Sequence, residues 1–134
     1  MAHPIMFDED DPYLARLRSV VGRFPGCFEK VAHGRPTFRA GEKGKVFAYF
    51  GGSVKQPQGH EPHDAGLLFK PDPAEADALR DDARFWSPAY LGPSGWLGVD
   101  LDGPDVDWDE VAELVDASYR QVAARTLLVE LDGS

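Results

Sequence analysis

The sequence predicts an α+β fold. It reads as a single domain in which a mainly antiparallel sheet carries an N-terminal helix, a short middle helix and a long C-terminal helix. Three observations carry this reading. A chain of 134 residues with 43% hydrophobic content has the size and composition of one domain around one core. Apolar residues recur at helical spacing near both ends, in 13–24 and 108–123. Between them lie short runs that alternate or are wholly apolar, punctuated by glycine and proline, as strands are. Helix, strands, short helix, strands, helix is an α+β order and not a βα repeat.

Asp10 or Asp11 caps the first helix, with Pro12 at a position where a missing N–H costs nothing. Tyr13, Leu14, Leu17, Val20, Val21 and Phe24 form its apolar stripe, and Pro25-Gly26 ends it. Phe28 to His33 is a weak strand. Pro36 to Ala40 alternates, with Thr37 and Arg39 on one side and Phe38 on the other. Val46 to Phe50 is apolar on both sides, which predicts a central, covered strand. Gly41-Glu42-Lys43-Gly44 has the length and glycine content of a hairpin turn between them. Residues 51–65, rich in Gly, Pro and His, read as a mobile loop. Gly66 to Lys70 is a strand. Asp72-Pro73-Ala74-Glu75 is a capping-box pattern for a short helix ending near Asp82. Phe85-Trp86-Ser87 reads as a strand, Pro88 to Gly95 as a loop and Trp96 to Leu101 as the last strand. Trp108, Val111, Ala112, Val115, Tyr119, Val122 and Ala123 then mark the long helix, capped by Asp107 with Glu110. The whole of 1–134 reads as one domain, with a core over about 11–125 and mobile termini.

The formal net charge is −9, which opposes indiscriminate binding to nucleic acid or anionic membrane. The charge is unevenly placed. Residues 16–70 hold ten Lys and Arg against four acids, while 71–134 hold four against fifteen. No apolar run has the length of a membrane span or a signal peptide, so a cytoplasmic protein without membrane contact is expected. One cysteine, Cys27, allows no internal disulfide and reads as a small buried hydrophobe.

Motifs of chemistry are few. His60-Glu61-Pro62-His63 offers metal-ligand types, but a proline-broken loop fixes no geometry and no further ligands stand at a recognisable spacing. Asp105, Asp107, Asp109, Glu113 and Asp116 fall at calcium-loop positions, yet Glu110 stands where that loop needs glycine. Phosphate-loop, dinucleotide and nucleophile-elbow patterns are missing. His33 reads as structural. No catalytic residue, metal or cofactor is assigned, and the chain reads as non-enzymatic.

Gly34-Arg35-Pro36-Thr37-Phe38-Arg39, Gly44-Lys45-Val46-Phe47-Ala48, Lys70-Pro71-Asp72-Pro73, Pro88-Ala89-Tyr90-Leu91, Trp96 and Ser118-Tyr119 occur in that order. Together they resemble the MmcQ/YjbR-like family from about Tyr13 to Ala124. The resemblance implies a compact α+β fold similar to frataxin-like and secretion-chaperone-like folds. It also implies DNA binding through a double-wing arrangement of the sheet. The chain departs from the family pattern ahead of the tryptophan. Pro93-Ser94-Gly95 stands there in place of a basic residue and a histidine.

The expected function is therefore weak, sequence-independent nucleic-acid binding through a cationic hairpin. Its contacts are Arg35, Arg39, Lys43 and Lys45, with Lys30, Lys55 and Lys70 nearby. Phe38, Phe47 and Tyr49 are expected in the core. Loss of Arg35 and Arg39 is expected to leave stability nearly unchanged. The competing expectation is a module that binds a protein or small ligand through the sheet face or the 51–65 segment.

Overall fold

The computed structural model describes residues 4–133. Asp11 opens helix α1 (Pro12–Val21): its carboxylate accepts hydrogen bonds from the Tyr13 and Leu14 backbone N–H groups. Leu14, Leu17, Val20 and Val21 are buried on one side of it. Six strands follow: β1 (Cys27–Ala32), β2 (Arg35–Ala40), β3 (Val46–Gln56), β4 (Gly59–Phe69), β5 (Phe85–Trp86) and β6 (Leu97–Asp100). They form one sheet in the order β1-β2-β3-β4-β6-β5, with every neighbouring pair antiparallel. Helix α2 (Ala76–Arg80) lies between β4 and β5, and α3 (Trp108–Val122) follows β6.

His33 and Gly34 make the two-residue turn from β1 to β2, both with positive φ, 54° and 83°. Such a turn matches the twist of the strands it joins, so His33 is a turn residue. The β2–β3 pairing shifts by one residue, from Phe38↔Ala48 to Arg39↔Val46. Phe47 is thus an extra residue on β3. The bulge turns it onto the helix-covered face beside Ala48, and both have 0% exposure. Strict alternation would have put Phe47 on the opposite side with Tyr49. The Phe47 ring instead meets Tyr119 edge-on at 5.1 Å and Phe24 at 5.9 Å.

The 51–65 segment is not a loop. Gly52 to Gln56 pairs with Gly59 to His63 in continuous register, so β3 and β4 extend as a two-stranded wing. The glycines and proline that read as loop signals have other work. Gly51, at φ 85°, sits in the register shift between Phe50 and Gly52.

Asp107 caps α3 by accepting from the Asp109 and Glu110 N–H groups. Val111, Leu114, Val115 and Tyr119 of α3 are buried with the α1 stripe and with Phe50, Leu67 and Phe69 of the sheet. Two polar groups tie this core together. Ser118 donates to the Phe47 carbonyl at 2.7 Å and accepts from the Lys70 N–H at 2.9 Å. The Tyr119 hydroxyl donates to the Pro25 carbonyl at 2.6 Å. Beyond Ala124, where sequence periodicity ends, a further helix α4 (Arg125–Asp132) packs Leu127, Leu128 and Leu131 against the core margin. Arg120 of α3 holds Asp132 of α4 at 2.8 Å. No described helix is long and apolar enough to cross a membrane.

Candidate nucleic-acid interface

α1 and α3 cover one face of the sheet. On the other face, directly opposed residues point the same way across the antiparallel strands. One row runs Lys30, Thr37, Tyr49, Leu68, Gly98, Trp86 from β1 to β5. A second row sets Phe28 of β1 beside Arg39 of β2 and Val46 of β3. The far half of this face is filled from within. The 87–96 segment leaves β5, bonds its Ala89 N–H to the Ser53 carbonyl on β3 at 2.8 Å, and returns to Trp96. The Trp96 ring meets Tyr49 edge-on at 5.3 Å, and Trp96 is buried. Trp86 lies against the backbone of Gly98, where an added Cβ would fall 2.5 Å from its ring. His63 stacks on Trp86 at 4.1 Å. The His63 ring nitrogens reach Asp100 at 2.8 Å and Glu61 at 2.9 Å.

The near half, beside the β2–β3 turn, is where the cations gather. Arg39 is half-buried. Its Nη1 makes only a long 3.4 Å bond to the Gly44 carbonyl, and its Nε is buried with no partner. It faces the Tyr49 phenol, whose pKa burial pushes up and the Arg39 charge pulls back down. Lys43 and Lys45 are exposed on the turn next to it, and Lys30 is exposed on the edge strand.

Arg35 stands apart from this group. Its side chain is 12% exposed and its Nη2 holds Asp64 at 3.0 Å. Its guanidinium packs on Gly51, where an added Cβ would collide with Nη1. Arg35 is thus built into the junction between sheet and wing, not displayed to solvent. The sequence expectation counts it among the displayed contacts; the structure seats it in that junction. Of the neighbouring lysines, Lys55 is exposed on the wing. Lys70 lies at the end of β4, where its carbonyl accepts from Gln121 of α3.

Of the three aromatics expected in the core, Phe38 and Phe47 are there at 1% and 0% exposure, while Tyr49 is half-buried on the open face against Trp96. Among the described residues three aromatics are displayed: Tyr13 of α1 at 37%, although its spacing puts it in that helix's apolar stripe, and on the open side Phe28 at 38% and Tyr90 at 84%. Phe28 is flagged only by an apolar residue in an otherwise weak strand. Cys27 is half-buried. Burial first, and then the Glu29 charge, push its thiol up to about 11, which favours the protonated thiol at neutral pH.

An apolar hollow of about 280 Å³ lies on the helix side between β6 and α3, lined by Val99, Val106, Val111 and Leu114. Arg84 at its rim is already paired: it binds Glu110 at 2.7 Å and Asp82 at 2.8 Å.

A family model described as YjbR matches residues 22–121. No curated protein matches the chain. Among solved structures, the crystal structure of Deinococcus radiodurans protein DR2400, described with a DUF419 domain, is similar to it. That similarity has a TM-score of 0.64 at 23% identity, over 89% of this chain and 87% of the other. At that identity the likeness concerns the fold.

Proposed function

We propose that this chain, which belongs to the YjbR family, is a non-catalytic module that binds single-stranded nucleic acid weakly and without sequence preference. The contact surface is the near half of the open sheet face. The observation that carries the reading is the juxtaposition of Phe28, 38% exposed, with Arg39 directly opposite it and Lys30, Lys43 and Lys45 around them. Cations of this kind track phosphates, and an exposed ring on a sheet accepts a base that has left its stack. A duplex keeps its bases stacked, so the ring favours single strands. The net charge of −9 keeps binding weak, because the acidic helices repel phosphate at long range. A small-ligand reading has less support, since the 87–96 segment already fills the far half of the face and the one cation lining the helix-side hollow, Arg84, is taken up by Asp82 and Glu110.

The test is a fluorescence anisotropy titration of labelled oligothymidine at several salt concentrations. Four phosphate contacts give a log–log salt slope of about −3 on a single strand. Lys43→Ala with Lys45→Ala removes two contacts and reduces that slope by about 1.4. Phe28→Ala weakens binding and leaves the slope alone. Absence of binding at low salt, or binding indifferent to all three substitutions, rejects the proposal.

A further inference from the structure

Tyr90 is held in an unfavourable conformation while its ring stands in solvent. Its φ is 70° and its side chain is among the most exposed large hydrophobics, at 84%. The Leu91 N–H donates to the Ala89 carbonyl at 2.9 Å across it. That is a γ-turn with positive φ at the centre, the rare and strained form. The turn is fixed on both sides: Ala89 N–H is bonded to Ser53 at 2.8 Å, and Gly92 N–H to the Pro88 carbonyl at 2.8 Å. A non-glycine residue persists in such a conformation only where its surroundings over-determine it, and these outliers cluster at functional positions. The ring contributes little packing in return. It meets the His60 ring of the wing edge-on at 5.8 Å. Lys55 stands directly opposite His60 in the wing register, which places a cation beside the two rings.

We infer that Tyr90, with His60 and Lys55, is a second contact for single-stranded nucleic acid: a base stacks on the tyrosine ring and its phosphate meets the lysine. This rests on the reading above and extends it to a two-point site. Along β3, Val46 opposite Arg39 and Ser53 bonded to Ala89 are seven residues apart. That is roughly 20 Å of strand, within the reach of site sizes of about 4–16 nucleotides. A short strand therefore occupies only the Phe28–Arg39 end, while a long one reaches Tyr90 as well.

The experiment compares oligothymidines of about 4 and about 16 nucleotides on the full chain and on Tyr90→Gly, Tyr90→Phe and Lys43→Ala with Lys45→Ala. Glycine adopts positive φ without strain, so Tyr90→Gly is expected to melt no lower than the parent. It should bind the long strand roughly tenfold more weakly, the loss of one base–aromatic stack, and the short strand unchanged. Tyr90→Phe should bind like the parent. Photo-crosslinking with a halogenated uracil at one end of the long strand should label Tyr90. A large drop in melting temperature for Tyr90→Gly would make the ring structural. Equal effects on both lengths, or none, would also overturn the inference. So would a dimer in light scattering that Tyr90→Gly dissolves, which would assign the ring to a second copy. If the double lysine variant loses binding while Tyr90→Gly does not, only the second contact falls. If the parent binds neither length, both readings fall.

Discussion

The two faces of the sheet treat polar groups differently. On the helix side, the buried Ser118 hydroxyl both donates and accepts, and the Tyr119 hydroxyl reaches the Pro25 carbonyl. On the open side, Arg35 Nη1, Arg39 Nε and Trp86 Nε1 are buried without partners, and among the described residues no other side-chain nitrogen or oxygen is in that condition. Each unmatched donor costs about 1–3 kcal/mol. The helix face is completed by folding alone. The open face keeps the under-bonded Arg39 guanidinium and a solvent-exposed, positive-φ tyrosine that the packing does not account for.

Substitutions can break this comparison, starting with the helix face. Val115 has 0% exposure, so Val115→Asp buries an unpaired charge and should unfold the domain at room temperature. Far-UV circular dichroism checks this, and a melting temperature near the parent's would move α3 off the core. Next is Gly98→Val on the open face. The new side chain meets the Trp86 ring and should cost about 1–3 kcal/mol as an overpacked site. It should also unstack His63, visible in near-UV circular dichroism. An unchanged Trp86 signal would contradict the packing.

Smaller effects sharpen the contrast within the open face itself. Arg35→Ala should lose about 1 kcal/mol through lost packing over Gly51 and the Asp64 link, while Lys43→Ala with Lys45→Ala should leave the melting temperature unchanged. Equal effects for the two would erase the distinction between a built-in arginine and displayed lysines. Smallest is the link between α3 and α4. The Arg120 hydrogen bond holds the Asp132 carboxyl below its ordinary value. A lowered folded-state pKa stabilises above the unfolded value and is lost as pH falls through the folded one. Asp132→Asn should therefore leave the acid limb of the stability curve shallower, and an identical acid limb would deny the link.

What was legible in the sequence follows from range. α1 and α3 announce themselves through local periodicity and through Asp11 and Asp107, whose caps lie within three residues of their partners. The β2–β3 hairpin was legible too, because Gly41 to Gly44 marks a turn locally, and with it the exposure of Lys43 and Lys45. The bulge at Phe47 was not, because a shifted register belongs to the pair of strands and not to either one. Gly51, Gly52, Pro57, Gly59 and Pro62 misled for a related reason: such residues serve bulges, turns and paired strands as well as loops. Arg35 looked like its neighbour Arg39, since its partner Asp64 is 29 positions away and its seat on Gly51 exists only in the folded sheet. Nothing local marks the positive φ of Tyr90.

The proposal is that nucleic acid meets the open side of the sheet and leaves the helix-covered side untouched. Backbone amide chemical shifts, recorded while a single-stranded oligothymidine is titrated into the labelled protein at low salt, test it most directly. Perturbations should gather at Phe28 to Lys30, Arg39 to Tyr49 and, with a long strand, Lys55, His60 and Ala89 to Leu91, leaving α3 from Val111 to Val122 silent. Perturbations centred on α3, or none anywhere, would contradict it.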